Sequence, residues 1–476
     1  PPGGHVGIYG RAGTTGVVLQ VLGEPDHVAG FGQEVELLLG GALDLVKRPR
    51  QVQRPAHRRE GAQQPRSPAQ HLDILRHHLV DGEPLYLNDY LDAALQARYI
   101  GAASKTDLSR LSNSVYLSTG EEAFSAILRE LEAARRYIFL EFFIIAEDGM
   151  WASILEILER KAAVGLDVRV MYDDFGSMGR LPREYPRTLR SKGIHCAVFN
   201  PFRPILSSTH NHRDHRKILV IDGRIAFTGG INLADEYINK LERFGHWKDN
   251  AIMIKGEAVE SFTRMFLRLW NFAAADRFSM PQLPAGESQP APAEDGFALP
   301  YEDNPLDEEA VGMNVYLNMI LKAKRYLYIT TPYLIIDDGL SGALCLAAKS
   351  GVDVRIITPG VPDKWYVHAV TRANYRPLIK AGVKIFEYSP GFIHSKSFLS
   401  DDKVGTVGTI NLDFRSFYLH FECGVWLYGC DSLVSLKNDF LTTQGLCREI
   451  TMQELETEKL QRKVSGWLLR VFSPLL

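Results

Sequence analysis

Several features that mark whole classes of protein are missing from this sequence of 476 residues. Its five cysteines are an odd number without C-x-x-C spacing, which indicates neither a disulfide framework nor a thiolate zinc site and favours a reducing, cytosol-facing environment. The formal net charge of −3 lacks the basic excess of a general nucleic-acid binder. No apolar run reaches the roughly 18 to 20 residues of a spanning helix, since "LLLGGAL" ends at Asp44 and "YIFLEFFII" contains Glu141. We therefore expect a folded, multidomain chain that does not cross a bilayer over the segment given, which begins with Pro1 and not with Met.

The N-terminal part has a different composition from the rest. The stretch "KRPRQVQRPAHRREGAQQPRSPAQH" (47–71) is rich in Arg, Gln and Pro and has almost no core-forming residues, which is typical of a disordered or linker segment. We expect residues 1–84 to form a poorly ordered extension, followed by a connecting segment at 85–112. A basic patch for anionic lipid headgroups is the alternative interpretation of the extension.

From about Asn113 the pattern becomes regular and then repeats. Helical stretches alternate with short buried strands, which predicts βαβ units and a parallel sheet. The string "ARRYIFLEFFI" corresponds to "AKRYLYITTPYLI", "GLDVRV" to "GVDVRI", and "LRSKGI" to "LIKAGV". We therefore predict a duplicated α/β unit, with domains at 113–272 and 310–476 joined by a Pro/Ala-rich, acidic linker at 273–309.

Each repeat contains the same motif. The segments "HRKILVIDGRIAFTGGIN" (215–232) and "HSKSFLSDDKVGTVGTIN" (394–411) share H-x-K, four residues, D, six residues and G-[GT]-x-N. Because side chains alternate along a strand, the His and Lys of each motif project from one face, so each repeat offers an imidazole and an ammonium to a common cleft. The pairs Gly229-Gly230 and Gly408-Thr409 would let backbone approach an anion, and Asn232 and Asn411 would add amide donors. This pattern predicts a phosphate site built from two half-sites, with His215, Lys217, His394 and Lys396 at its centre.

Other interpretations of the same residues compete with this one. The stretch "THNHRDHRK" holds His210, His212 and His215, the kind of cluster that binds zinc, but nothing comparable precedes His394 in "GFIHSK". We expect no metal and no cofactor, with the first two histidines in a loop at the pocket mouth. Asp222 and Asp401 belong to the motif, yet Asp222-Gly223 also has the form of a hairpin turn, so we assign both aspartates as supports. Three further histidines are expected to be surface bystanders: His246, His368 and His420.

These motifs resemble those of the phospholipase D superfamily, whose signature is a duplicated H-x-K-D sequence. Within that superfamily the chain is similar to bacterial cardiolipin synthases from about Asn113 to Leu476. The resemblance includes "LEFFI", "YDDFGS", "RDHRKILVIDGRIAFTGGINLADEY", "ITTPYLI", "GFIHSKSFLSDD", "GTINLDFRSFYLHFE" and "FSPLL".

The resemblance implies a fold and a reaction. The fold is a pair of phospholipase D-like α/β sandwich domains related by pseudo-twofold symmetry, with one active site at their interface. The reaction joins two phosphatidylglycerol molecules into cardiolipin and glycerol, with His215 as nucleophile, His394 as acid/base and a phosphohistidine between the steps. It also implies that Asp249 and Glu422 orient the imidazoles.

The resemblance further implies a phospholipid substrate, no nucleic acid, and a peripheral place on the bacterial cytoplasmic membrane. The segment "QRKVSGWLLRVFSPLL" (461–476) has the spacing of an interfacial helix or, equally, of a helix packed on the protein core. A hydrolytic phospholipase D or another phosphodiesterase stays open, including a nuclease that would use Arg213, Arg216 and Arg224. A non-catalytic membrane scaffold is disfavoured because both His/Lys/Asn sets are complete.

Overall fold

The computed structural model describes residues 87–202, 211–274, 278–281, 295–458 and 468–470, with side chains from residue 91 onward. The predicted extension at 1–84, His210 and most of the segment 461–476 lie outside the described residues. Within the described part, no helix combines the length and apolar character that crossing a membrane requires.

The first half begins with a helix and then alternates strands and helices. Its elements are α1 (Leu87–Ser104), β1 (Ser109–Leu117), α2 (Gly120–Ala133), β2 (Tyr137–Phe142), α3 (Gly149–Ala163), β3 (Asp167–Asp173), α4 (Tyr185–Ser191), β4 (His195–Phe199), β5 (Arg213–Asp214), β6 (Lys217–Ile221), β7 (Ile225–Gly229), a 3-10 helix (Asp235–Ile238), β8 (His246–Lys248), β9 (Ala251–Gly256) and α5 (Ala258–Ala273).

The second half repeats this order with small additions. Its elements are β10 (Phe297–Asp303), α6 (Val311–Lys322), β11 (Tyr326–Thr330), β12 (Leu334–Ile335), α7 (Asp338–Lys349), β13 (Asp353–Pro359), α8 (Trp365–Ala381), β14 (Lys384–Tyr388), β15 (Gly391–Ile393), β16 (Ser397–Ser400), β17 (Val404–Gly408), β18 (Leu412–Asp413), α9 (Phe414–Tyr418), β19 (His420–Tyr428), α10 (Ser432–Gln444), β20 (Cys447–Glu449) and α11 (Met452–Thr457).

Local sequence explains where the helices behind the strands begin. The side chain of Thr119 accepts a hydrogen bond from the Glu122 N–H at the start of α2, and Asp148 and Asp337 cap α3 and α7 in the same way. These caps supply acceptors for amide groups that have no partner in the first turn of a helix. The helices then pack their apolar faces on strands whose residues are buried, as in all six positions of β2.

One 16-stranded sheet runs through both halves. Fifteen of its strands follow the order β20-β14-β13-β11-β16-β17-β19-β10-β1-β9-β7-β6-β2-β3-β4, and β5 pairs with β19 off this path. The halves meet where β1 pairs antiparallel with β10. The order on one side of this junction mirrors the order on the other, which confirms the predicted duplicated α/β fold. The parallel pairing predicted from the βαβ pattern is found in β2-β3-β4 and β11-β13-β14, whereas the motif strands β6 and β16 pair antiparallel with β2 and β11.

Helices cover both faces of this sheet. On one face α5 and α10 contribute Phe266, Trp270 and Phe440 to an apolar core that spans the two halves. On the other face α2 and α3 cover the first half, and α6 and α7 cover the second. The result is a layered α/β sandwich in each half with a shared core at the junction.

Two chain segments differ from the predicted domain boundaries. Strand β1 starts at Ser109, before the predicted start at Asn113, and β10 lies inside the stretch predicted as a linker at 273–309. Phe297, Leu299 and Tyr301 of β10 are buried, and the strand pairs with both β1 and β19. The surrounding Pro/Ala-rich composition concealed a strand that lies at the centre of the sheet.

The described part of the C-terminal segment contacts the second half. Leu469 packs against an apolar cluster that includes Ile335 and Val370, and an Arg470 nitrogen lies 3.3 Å from Asp338 Oδ1. Leu468 is exposed. At these positions the contacts favour a segment packed on the protein core over a free interfacial helix.

Candidate active site

The two H-x-K motifs occupy equivalent places in the sheet. His215 and His394 lie just before β6 and β16, and Lys217 and Lys396 lie at or beside the starts of those strands. Each lysine Nζ donates back to the carbonyl of its own histidine, at 2.6 Å for Lys217. All four side chains are buried, with the lysines only 1% exposed. The structure thus brings together the four residues that the sequence placed at the centre of the site.

Each imidazole has a carboxylate partner that comes from the opposite half of the chain. His215 Nδ1 lies 2.9 and 3.0 Å from the two oxygens of Glu422 on β19. His394 Nδ1 lies 2.7 Å from Asp249 Oδ2, between β8 and β9. A carboxylate on Nδ1 fixes the tautomer with the proton on that nitrogen, which leaves the Nε2 lone pair for chemistry.

Short strand pairings hold each carboxylate against the histidine of the opposite half. Strand β5, which leads into His215, pairs in parallel with the start of β19 before Glu422. Strand β8, which leads into Asp249, pairs in parallel with β15 before His394. The backbone therefore sets both cross-half pairs through equivalent contacts.

The residues beside the carboxylates differ between the halves. The hydroxyl of Thr409 donates to Glu422 Oε2. At the equivalent position, a Cβ on Gly230 would lie 2.0 Å from Asp249 Oδ1 and 2.8 Å from the His394 carbonyl oxygen. The sequence predicted that Gly230 lets the backbone approach a bound anion. In the structure a glycine is needed there because the Asp249 carboxylate lies so close.

The two motif asparagines also have different surroundings. Asn232 accepts a hydrogen bond from the Ile144 N–H at 3.0 Å and donates to the Tyr237 hydroxyl at 2.7 Å. The Tyr237 ring in turn stands edge-on to His394, with 5.7 Å between ring centroids. The side-chain oxygen of Asn411 is buried and has no hydrogen-bond partner within the described residues.

Burial and like charges control the protonation of the site. Burial, followed by the charges of Lys217 and Lys396, lowers the pKa of His215 well below its usual value. Burial and the charge of Lys396 lower the pKa of His394 to about 4. Burial also lowers the pKa of Lys217 to about 8 and that of Lys396 to about 7. Burial would raise the pKa of Asp249, but the neighbouring His394 and Lys396 hold it below its ordinary value.

The two motif aspartates lie at the other end of their strands. The Asp222 carboxylate accepts three backbone N–H groups, from residues 135 to 137, at 2.8 to 3.0 Å. The Asp401 carboxylate accepts three from residues 324 to 326, at 2.8 to 2.9 Å. Asp222 is five residues beyond Lys217 on a strand, which corresponds to roughly 16 Å. Both aspartates therefore secure the strand ends behind the site and do not reach its centre.

One residue that the sequence analysis set aside belongs to the site. His420 was expected to be a surface bystander, but that expectation is wrong: the side chain is 8% exposed, and its ring centroid lies 5.4 Å from that of His215. His420 stands two residues before Glu422, just as Trp247 stands two residues before Asp249. This shared spacing is the sequence signal that would have placed His420 in the site. By contrast, His246 is exposed, and His368 lies 3.5 Å from Glu387.

The possible metal ligands differ from those in "THNHRDHRK". His212 Nδ1 lies 3.3 Å from the Leu419 carbonyl oxygen, and His210 is outside the described residues. Within the part of the chain that the structure describes, His215, His420 and Glu422 are the group whose ligand atoms come within 4.8 Å of one another. These residues suit a transition metal in type and distance, but the two adjacent lysines oppose a cation.

The nuclease alternative depended on a basic lining of the site by three arginines, Arg213, Arg216 and Arg224. The structure does not place them in such a lining. Arg216 is 2% exposed and lies 2.6 Å from Glu141 and 2.9 Å from Glu302. Arg213 is buried and lies 3.5 Å from Asp173. Arg224 follows the β6-β7 turn at Asp222, at the strand end away from the histidines. Two of these three charges are thus buried beside carboxylates, and the third is remote.

A duplicated α/β fold that brings the side chains of two H-x-K motifs to one site, with each imidazole held by a buried carboxylate, defines an enzyme of the phospholipase D type. The family model described as "Cardiolipin synthase, PLD-like domain" matches residues 127–270 and 316–443, one segment in each half. The chain belongs to this family, a group of phosphatidyltransferases within the phospholipase D superfamily.

Individual proteins show the same relationship. The cardiolipin synthase of Geobacillus thermodenitrificans (strain NG80-2) is 38% identical over 370 residues, which cover 78% of this chain and 73% of the relative. An uncharacterized protein of Streptococcus mutans serotype c is 46% identical over 380 residues, covering 80% and 82% of the two chains. The crystal structure of phosphatidylserine synthase from Haemophilus influenzae Rd KW20 superposes with a TM-score of 0.60 at 15% identity, covering 80% of this chain and all of that one, which supports the fold.

Proposed function

We propose that the protein is a cardiolipin synthase that transfers a phosphatidyl group from one phosphatidylglycerol to another through a phosphohistidine. The observation that carries the proposal is the pair of imidazoles whose Nδ1 atoms face buried carboxylates, beside two lysines. The names of the curated relatives support the choice of cardiolipin as the product.

In the first step His215 Nε2 attacks the phosphorus of the donor lipid. A P–N bond forms as the bond from phosphorus to the oxygen of the headgroup glycerol breaks. His394 gives that oxygen a proton, so glycerol leaves and the phosphatidyl group stays on His215. In the second step His394 takes the proton from a hydroxyl of the second phosphatidylglycerol. The freed oxygen attacks phosphorus, the P–N bond breaks, and cardiolipin is released with His215 neutral again.

The protonation state of the substrate-free site suits this scheme. A low pKa keeps His215 neutral at pH 7, as a nucleophile requires. Because the pKa of His394 is about 4 before substrate binds, the anionic phosphodiester has to favour its charged form. The same phosphate favours the ammonium forms of Lys217 and Lys396, which then stabilise negative charge on the phosphoryl oxygens as it redistributes.

We further propose that the enzyme works peripherally at the bacterial cytoplasmic membrane, where its phospholipid substrate is found. The division into two domains at 113–272 and 310–476 remains part of this proposal, with the first extended to include all of β1 and the second to include β10, the two strands at their junction. The two segments matched by the family model lie inside those ranges.

The test incubates the protein with phosphatidylglycerol vesicles in the presence of a chelator and resolves the lipid products. Cardiolipin plus glycerol is the expected result. Phosphatidic acid plus glycerol would mean that water resolves the intermediate and would replace the proposal with a hydrolytic phospholipase D. The variants His215→Asn and His394→Asn should lose turnover, whereas His246→Asn, at an exposed histidine, should keep it.

The order of the two histidines is tested by trapping the intermediate. Phosphatidylglycerol labelled at phosphorus should leave an acid-labile label on the His394→Asn variant after long incubation. This variant keeps the nucleophile, but it lacks both the acid that speeds formation of the intermediate and the base that resolves it. The His215→Asn variant should stay unlabelled. Label on His215→Asn and none on His394→Asn would reverse the roles.

A further inference from the structure

The two carboxylates of the site each have an aromatic residue two positions earlier in the chain. Trp247 precedes Asp249 and His420 precedes Glu422. The Trp247 ring lies 5.4 Å from the ring of His394, and the His420 ring lies 5.4 Å from the ring of His215. The pseudo-twofold arrangement thus places an indole beside one histidine and an imidazole beside the other.

Both aromatic rings direct a nitrogen at the carboxylate of their own half. Trp247 Nε1 donates to Asp249 Oδ2 at 3.4 Å. His420 Nδ1 lies 3.6 Å from Glu422 Oε1, just beyond hydrogen-bond distance, and it is buried with no hydrogen-bond partner among the described residues. A buried ring nitrogen is expected to find a partner, and a small rotation of the ring would bring this one to the carboxylate.

The remaining donors complete the comparison. Asp249 receives His394 Nδ1, Trp247 Nε1 and the Asn250 N–H. Glu422 receives His215 Nδ1 and the Thr409 hydroxyl. Among the described residues, Asp249 therefore has three donors and Glu422 has two, with the His420 nitrogen close to the position of a third.

We propose that His420 is a positioning residue that donates its Nδ1–H to Glu422 and so holds that carboxylate in the orientation that keeps His215 ready to attack. This inference rests on the proposed phosphohistidine route. A carboxylate held by three donors has little freedom to rotate, so it holds the imidazole in one tautomer and one direction. Burial lowers the pKa of His420 to about 3, so its ring is neutral and carries one N–H, which the adjacent carboxylate draws to Nδ1.

The test compares His420→Asn with His420→Leu. The Asn amide nitrogen takes nearly the position of the imidazole Nδ1, and Leu has almost the same shape without a donor. Both variants lack the ring, so a difference between them reports the donor alone. We expect kcat of the Leu variant to fall roughly 10-fold below that of the Asn variant, with KM for phosphatidylglycerol and the thermal unfolding temperature similar in the two.

Matched variants make the result independent of folding and of the overall reaction. Trp247→Phe removes the equivalent donor from Asp249 and should also lower kcat, so it tests the same idea on the other carboxylate should the variants at position 420 fail to fold. Equal kcat in the donor and non-donor variants, or a loss accompanied by an equal loss of stability, would overturn the proposal. If the wild type makes phosphatidic acid in place of cardiolipin, the proposed function fails. The ratio of kcat between His420→Asn and His420→Leu can still be measured, because both products require the phosphohistidine.

Discussion

The variant Glu422→Gln tests the central electrostatic feature of the site with almost no change of shape. Glu422 is fully buried, and its oxygens lie 2.9 and 3.0 Å from His215 Nδ1. The glutamine amide can still accept from His215 if its nitrogen turns toward the Thr409 hydroxyl, which has the Cys423 carbonyl as an alternative acceptor at 3.1 Å. The substitution therefore removes the negative charge while it can preserve the hydrogen bond.

The magnitude follows from the charge that develops during attack. When Nε2 bonds to phosphorus, the imidazole of His215 becomes positive, and the carboxylate stabilises it across about 4 Å between charge centres. At an effective dielectric constant of about 20 this interaction is worth about 4 kcal/mol. Since each 1.36 kcal/mol changes a rate tenfold, we expect kcat to fall by about 10³-fold.

Initial rates of cardiolipin formation from phosphatidylglycerol vesicles measure the loss, with circular dichroism to confirm folding. Thr409→Val is the matched control, because it removes one hydrogen bond to the same carboxylate and keeps the charge. A hydrogen bond to a charged group contributes roughly 1.5–3 kcal/mol, so this variant should lose at most about 10²-fold, less than Glu422→Gln. If Glu422→Gln is folded and keeps more than a tenth of the wild-type rate, the charge of Glu422 does not stabilise the transition state.

Four further predictions follow from the geometry. Gly230→Ala should abolish activity and cost roughly 1–3 kcal/mol of stability in urea unfolding, because its Cβ would lie 2.0 Å from Asp249 Oδ1. The control Gly342→Ala has open space around the added Cβ and should retain full activity. The free energy of unfolding should rise as the pH increases from about 4 to about 6.5, by roughly 1.4 kcal/mol per pH unit for an imidazole such as His394, because the unfolded ring binds a proton that the folded ring excludes; the slope should be smaller in His394→Asn. Asp222→Asn should lower the unfolding temperature yet leave kcat of the folded protein unchanged, since its carboxylate binds backbone amides at the far strand end; a large loss of kcat would restore a chemical role. Removal of metals with EDTA should leave the rate unchanged, whereas inactivation reversed by zinc would make the histidine–glutamate cluster a functional metal site.

The sequence predicted the parts of the site that depend on local spacing. The alternation of side chains predicted that His215 and Lys217 act at one site, although His215 lies just before β6, and the Asp222-Gly223 pair predicted the turn between β6 and β7. These features need only neighbouring residues. The repeated strings extended the same reasoning to the second half, and so the duplicated fold was also predictable.

The parts that depend on distant contacts could not be derived from spacing. Glu422 is 207 residues from His215, and Asp249 is 145 residues from His394. The family resemblance suggested that these carboxylates orient the imidazoles, but the exchange between halves follows from the strand pairings at β5 and β8. Strand β10 was not predicted for a related reason. Its place at the centre of the sheet depends on pairing with β1 and β19, which lie far from it in sequence.

The exchanged carboxylates explain why the two halves must act as one unit. Each half contains a histidine, a lysine and an acid, yet the acid of each half lies against the histidine of the other. A single half alone would present an imidazole with no carboxylate at Nδ1 and an acid with no imidazole, so it would lack the fixed tautomer that nucleophilic attack requires. Two copies of one half related by a twofold axis would restore both pairs, because a twofold interface repeats every contact reciprocally. Fusion of the halves keeps this reciprocity and permits the differences seen here, with Trp247 and Gly230 beside one acid and His420 and Thr409 beside the other.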